Sequence, residues 1–481
     1  MAKSIATQCK LFCLFLLLTS LGYLRPSDVE AGSNNAKVTL IEHVPHIRQK
    51  PDFCGEACVA MYLNKLGHKV SQDDIFNLSG VDPALCRGCV SRDMERVLKQ
   101  VGFQPGRVWR EIDPRKWRKQ LEMQWNLLLG DLSNGLPSIV CMRYGDRPKS
   151  PEHFRLVLGY DPNSDEVIYH EPAERNGAYR RMERTRFLEL WPLKYSKSEW
   201  LAVRMTLKAG RISIPNTGGA GFSNADYAQH IMELKPRAPG GFTIVLEKPF
   251  VVVGDETPTM VERRAKQTVR WFVDHIRDLY FDKDPSAVYD IWLFKDDKSY
   301  RKHARKLFND NPHTPFGYCS DSHRALIMNI ATGGGTLCHE IVHAFIASNF
   351  PDCPAWFNEG LASLYEQCGS RNGGLVGFTN WRLAGLQKEI RASTLPSFKD
   401  LLSTTTHQFY NMTEGNNYAQ ARYLCYYLQE KNLLVQFYNA YRRSFKEDPS
   451  GYETLRKTLH EDDLKQFQKD WEKWVLKLRF P

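Results

Sequence analysis

The chain has 481 residues, 42% hydrophobic, 25% charged and 12% aromatic, a balance that excludes whole-chain disorder, collagen-like repeats and a small disulfide-stapled scaffold. At about 100–200 residues per domain, the length predicts two or three domains, each able to bury a core. Lysine plus arginine number 65 against 55 aspartates and glutamates, and the resulting +10 is spread along the chain, so nothing in it calls for nucleic acid.

Lys3 and Lys10 precede an uncharged stretch, Leu11–Leu24 (LFCLFLLLTSLGYL), closed by Arg25. Fourteen residues is too short for a comfortable membrane span but suits the apolar region of a secretory leader. Val29 and Ala31 put small residues at the −3 and −1 positions of a cut before Gly32. Residues 1–31 are therefore expected to be a signal peptide, the mature protein to be secreted or periplasmic, and no integral span to remain in it. Ten of the 12 cysteines lie beyond this leader, and in an oxidising compartment several are expected to pair.

From Lys37 to Leu207, short helical and strand-like segments alternate, with strands expected at Ser138–Met142, Arg155–Tyr160 and Glu166–Tyr169. Residues 44–61 read VPHIRQKPDFCGEACVAM, in which Cys54 and Gly55 open an apolar helical run. A cysteine at a helix N-terminus gains thiolate character from the dipole. Gln49, just upstream, could donate its amide to an oxyanion. About a hundred residues on, His153 begins the strand-like HFRLVLGYD, and Glu171-Pro172 follows. The order cysteine, histidine, carboxylate fits thiol catalysis in which the acid orients the imidazole; Asp161 is an alternative acid. Cys54, Cys58, Cys86 and Cys89 could instead form a four-thiolate zinc site, and Cys86-x-x-Cys89 reads best as a structural disulfide.

This half resembles the papain-like cysteine peptidases that clip double-glycine leaders inside bacteriocin exporters. The resemblance rests on Q-x-x-x-x-C-G, H-F-x-x-V-x-G-Y-D and the acid-Pro pair, over 37–207. It implies a papain-like fold with Cys54, His153, Glu171 and Gln49 in the site. This chain departs from the pattern in having Gln49 one residue nearer the cysteine and Glu171 where the family has Asp.

The stretch 208–241 is dense in Gly, Pro and Ser (GRISIPNTGGAGF, PRAPGG) and reads as a linker. The second domain, 242–481, opens with the β-branched Thr243–Val253 and the amphipathic Met260–Leu279. Strand-like Tyr289–Phe294 and Ala325–Ile330 follow, and after Gly335 the chain is mainly helical. Residues 336–350 read TLCHEIVHAFIASNF, where His339 and His343 lie at i and i+4 and project together. This is H-E-x-x-H: two imidazoles for Zn²⁺ and Glu340 as the base for the attacking water. Two histidines leave the ion incomplete. In PAWFNEGLASLYE, Asn358 is placed to cap a new helix, and Glu359, sixteen residues past His343, could supply a third ligand. Three protein ligands with an open fourth position make a catalytic site.

The motifs TGGGTLCHEIVHAF and PAWFNEGLASLYE resemble those of gluzincin zinc metallopeptidases of the peptidase-MA-like group, over Thr243–Val475. That resemblance implies a zincin fold with a small sheet, an edge strand at Arg324–Ile330 that binds substrate backbone, and Tyr418 as an oxyanion donor, with Tyr423 and Tyr426 left to the core. Fold class is thus expected to be α+β, with a papain-like domain followed by a zincin. The function implied is hydrolysis of peptide or protein substrates with Zn²⁺ as cofactor. The rival is a secreted, non-catalytic protein that binds peptides or envelope polymers on two peptidase folds.

Overall fold

The computed structural model describes residues 36–147, 150–219, 221–411 and 417–480; the expected leader, 1–31, lies outside them. No helix among the described residues is long and apolar enough to cross a membrane.

The N-terminal domain begins with α1 (Cys54–Lys65) and α2 (Gln72–Ser79). Strands β1 (Trp109–Ile112), β2 (Ser138–Arg143), β3 (Glu152–Asp161), β4 (Glu166–His170), β5 (Arg180–Glu183) and β6 (Trp200–Thr206) then pair in the order β1-β6-β2-β3-β4-β5. All these neighbours are antiparallel. On β2, Ile139 and Cys141 join Ala57 and Met61 of α1 in one core, while Val140 and Met142 join Trp125 and Leu128 of the helix Trp117–Ser133 in a second. Successive strand residues face opposite ways, so a sheet covered on both sides reads as an unbroken apolar run. Helix α1 is buried from Gly55 to Leu63, which fixes the cysteine at its start.

Within the stretch read as a linker lies α3 (Asn224–Leu234), whose start is closed by a reciprocal pair between Ser223 and Asp226. Ala225 and Ala228 enter the N-terminal core; Tyr227, Ile231 and Leu234 enter a core of the second domain. The segment is a wedge between the domains. Its flanking Gly and Pro residues masked a helix whose apolar positions recur at three- and four-residue spacing.

In the second domain β7 (Thr243–Glu247), β8 (Phe250–Gly254), β9 (Tyr289–Phe294), β10 (Gly317–Ser320) and β11 (Ala325–Asn329) pair in the order β7-β8-β9-β11-β10. β8, β9 and β11 are parallel, with β7 and β10 antiparallel at the two edges. One face packs through Ile291, Leu326 and Met328 against Leu337, Ile341 and Phe345 of α4 (Gly335–Asn349). The chain continues through α5 (Ala355–Leu364), α6 (Thr406–Asn411) and α7 (Asn417–Glu430) to a last helix, Leu464–Lys477, with Trp471 and Val475 in the core. The edge strand expected at Arg324–Ile330 is corrected here. β11 lies inside the sheet with all five residues buried, and the edge is β10. A strand buried at every position needs both faces covered, and the folded-back β10 supplies its outer neighbour.

Candidate active sites

Cys54 is the first residue of α1, as the sequence suggested. Its thiol lies against the backbone of Phe154, one residue past His153, because α1 packs on β3. The expected thiolate character is not intrinsic to the site. Burial pushes the Cys54 thiol up to about 12, with Glu56 and Asp52 adding to the rise, so desolvation outweighs the helix dipole. His153 Nε2 is hydrogen-bonded to Glu171 Oε1, leaving Nδ1 as the ring nitrogen available to a nucleophile. The Gln49 backbone N–H donates to the Pro172 carbonyl at 2.8 Å, setting Gln49 beside the acid-Pro pair. Its buried side-chain Oε1 has no hydrogen-bond partner.

A fifth residue belongs to this group. Arg155 donates from Nε to Glu171 Oε2 at 2.7 Å, and both side chains are buried. Asp161, the alternative acid, sits at the far end of β3 paired with Arg181 at 2.9 Å. Strand geometry carries it away from His153.

The cysteine pairings expected from an oxidising compartment are not formed: Cys54, Cys58, Cys86, Cys89, Cys141, Cys319, Cys338, Cys353, Cys368 and Cys425 are all unbonded among the described residues. Cys86 turns its sulfur to the Ile231 carbonyl on α3 at 3.8 Å, whereas Cys89 is buried beside Glu56, which accepts its backbone N–H at 2.7 Å. The two thiols therefore serve different contacts, and neither the Cys86–Cys89 bridge nor the four-thiolate site assembles. The neighbour of the Cys338 thiol is Cys368.

On α4, His339 and His343 turn their Nε2 atoms to within 3.0 Å of one another. Glu359, from α5, brings Oε2 to 3.3 Å from His339 Nε2 and Oε1 to 3.6 Å from His343 Nε2. These three residues are the only group of three or more such side chains, among the described residues, whose ligand atoms converge closely enough to hold a metal ion. Glu359 Oε2 is buried without a hydrogen-bond partner. Two imidazole nitrogens and an unpartnered carboxylate oxygen, all electron-pair donors, fit a divalent zinc ion. Glu340 lines the adjoining cleft of about 1090 Å³ beside His339, and burial raises its carboxyl above the ordinary range.

The shell behind the ligands was only partly legible. Asn358 was expected as a helix cap, but α5 starts earlier, at Ala355 after Pro354. Asn358 Oδ1 instead lies 2.8 Å from His343 Nδ1. Glu366 Oε1 stands 3.6 Å from His339 Nδ1, and Arg382 grips the same carboxylate, donating to Oε1 at 2.7 Å and to Oε2 at 2.9 Å. Such partners fix ring orientation and raise ligand basicity. Tyr418 does line the cleft, with the Arg382 guanidinium 5.2 Å from its ring centre. Tyr410, absent from the sequence reading, donates its hydroxyl to Glu359 Oε1 at 2.5 Å. Tyr423 is fully buried with its hydroxyl at the Asn380 backbone, and Tyr426 packs on Trp474.

Residues 41–198 match the model of a Peptidase_C39-like family. The N-terminal domain is thus a C39-like, papain-type peptidase domain; the cluster of His339, His343 and Glu359 lies beyond the matched stretch. Among solved structures, the peptidase domain of Streptococcus ComA, a bi-functional ABC transporter involved in a quorum-sensing pathway, is similar at 21% identity. That likeness covers 34% of this chain and 99% of that one, with a TM-score of 0.23. No curated protein matches the chain.

Proposed function

We propose that the chain is a secreted or periplasmic, bacterial-type peptidase with two hydrolytic sites, a zinc site at His339, His343 and Glu359 and a thiol site at Cys54. The observation that carries the zinc reading is the convergence of two Nε2 atoms on a buried carboxylate oxygen that nothing else satisfies. Bound zinc supplies a Lewis acid for the scissile carbonyl and brings the pKa of a water down toward about 7. The chain's residues do the rest. β10 offers its free edge to the backbone of an extended peptide. Glu340 takes the proton of the attacking water and returns it to the leaving amine, and Tyr418 donates a hydrogen bond to the oxygen on which negative charge develops. Tyr410 and Asn358 hold Glu359 and His343 in place.

At the thiol site, Cys54 gives its proton to His153 as sulfur attacks the peptide carbonyl carbon. Glu171 stabilises the imidazolium, and the Gln49 amide faces the oxyanion. His153 then protonates the leaving amine, and a water releases the acyl group from sulfur. A thiol held neutral by burial fits transfer of this proton during the attack.

Metal analysis with peptide-library digestion tests both readings. The parent is expected to hold one zinc per chain and to cleave peptides; Glu340→Gln keeps the zinc and loses about 10²–10⁴-fold in turnover. Parental turnover in Glu340→Gln overturns the zinc reading. Zinc with no cleavage by any variant would favour the rival, a peptide-binding protein. Activity lost only in Cys54→Ala would make the thiol domain the sole enzyme.

A further inference from the structure

Glu171 stands where the resemblance leads one to expect Asp before Pro, and its two carboxylate oxygens serve two partners. Oε1 meets His153 and accepts the Ala173 N–H at 3.1 Å; Oε2 accepts Arg155 Nε at 2.7 Å. His153, Arg155 and Glu171 are 6%, 3% and 2% exposed. His153 and Arg155 are two apart on β3 and so share one face, where their successor Val157 is aliphatic. The other Arg155 nitrogens donate to the carbonyls of Arg143 (3.2 Å) and Tyr144 (3.1 Å), and the guanidinium lies over the rings of Tyr144 and Tyr169. The Tyr144 ring in turn meets the His153 imidazole edge-on, 5.0 Å between centres. Burying a guanidinium is costly unless its donors are satisfied, and here they are spent on the acid and on the backbone that carries the aromatic wall of the imidazole.

We propose that Arg155 is a positioning residue of the thiol site: it holds Glu171 as a fixed, ionised carboxylate and anchors Tyr144 against His153. This rests on the thiol reading above. An ionised Glu171 stabilises the imidazolium that forms when Cys54 gives up its proton; a protonated one does not. Burial raises the Glu171 carboxyl, and His153 and Arg155 more than offset it, holding it below the ordinary range. The groups around it are His153 and Arg155 on β3, Cys58 on α1, Tyr169 on β4 and His46 at its backbone carbonyl. Loss of Arg155 removes a cation, so the Glu171 pKa rises and, as pH falls, the carboxylate stays charged only down to a higher pH.

The experiment is the rate of iodoacetamide alkylation of the Cys54 peptide in the full chain, followed by mass spectrometry across the acid to neutral range. Arg155→Gln is expected to move the acid limb up by about one pH unit. Arg155→Lys keeps the charge but not the fork, and is expected to leave the limb in place while lowering the plateau. In a Glu171→Gln chain, Arg155→Gln is expected to add no further shift. A folded Arg155→Gln with the parental limb overturns the proposal. If that variant does not fold, Arg155→Lys decides: a limb displaced as far as loss of charge predicts overturns it, and an unmoved limb supports it. A parent whose Cys54 reacts no faster folded than unfolded overturns the thiol reading itself and this inference with it.

Discussion

Around the imidazole of the N-terminal domain the buried charges are matched, with Glu171 divided between His153 and Arg155 and the guanidinium closed by two carbonyls. Around the imidazoles of the C-terminal domain the matching stops short. Two ring nitrogens face each other at 3.0 Å, and His339 Nδ1 and Glu359 Oε2 are buried without hydrogen bonds. A buried orphan costs about 1–3 kcal/mol in a closed protein; on the zinc reading proposed above, a cation held at the two Nε2 atoms would repay that of Glu359 Oε2, while His339 Nδ1 faces Glu366 at 3.6 Å. The first network is closed by its own side chains and backbone; the second leaves donors open, which is the opening the proposed zinc would fill.

The strongest way to break this comparison is to remove a ligand from each side. His339→Ala or His343→Ala is expected to lose zinc entirely by metal analysis while leaving the alkylation of Cys54 at its parental rate. Cys54→Ala is expected to lose the labelled peptide and keep one zinc per chain. Zinc retained at full stoichiometry in His339→Ala would show that the metal, if present, sits elsewhere.

The two regions also share a joint. Ile231, fully buried, plugs α3 into the core beneath the second sheet while Ala225 and Ala228 on the same helix pack on the first domain. Ile231→Ala is expected to cost about 2–5 kcal/mol through lost burial and the cavity left. Calorimetry should then resolve the C-terminal domain unfolding earlier than in the parent. An unchanged trace would return the segment to a passive connector.

What the sequence disclosed and what it hid divide along the range of the interactions. His339 and His343 were legible because i, i+4 spacing on a helix decides where two side chains go without reference to the rest of the fold. Cys54 and Glu359 were legible because each stands at or near a helix start, marked by Gly55 in one case and Pro354 in the other. Arg155 was hidden: within HFRLVLGYD it reads as one polar residue in a strand, and only the return of β4 beside β3 brings Glu171 to it. Tyr410 reaches Glu359 from a separate helix, so no local pattern could announce it; Glu366 closes the same PAWFNEGLASLYE run as Glu359, and only the fold shows that it stands behind His339. The edge strand was misplaced for the same reason. Strand order depends on which neighbour folds back, and β10 precedes β11 in the chain yet lies outside it in the sheet.

A subtler test concerns the support of the ligands rather than the ligands. Asn358→Ala removes the partner of His343 Nδ1 and leaves Nε2 in place. The ring then loses its fixed orientation, and zinc affinity is expected to fall by about 10–100-fold, measured by competition with a chelator. No change in affinity would mean that the two helices alone hold the ring.

The smallest expected effect sharpens the account of α3. Its first turn is closed by Ser223, whose hydroxyl accepts the Asp226 N–H at 3.3 Å, while the Asp226 carboxylate accepts the Ser223 N–H at 2.8 Å. Both lie at the surface, so Ser223→Ala removes a cap without opening a cavity, and about 1 kcal/mol of stability is expected to go with it. Because α3 packs on both domains, that loss should appear in the denaturant midpoint of each domain's unfolding, whereas a cap on a helix belonging to one domain would move only one. A shift confined to a single transition would assign the helix to that domain and leave the other merely resting against it.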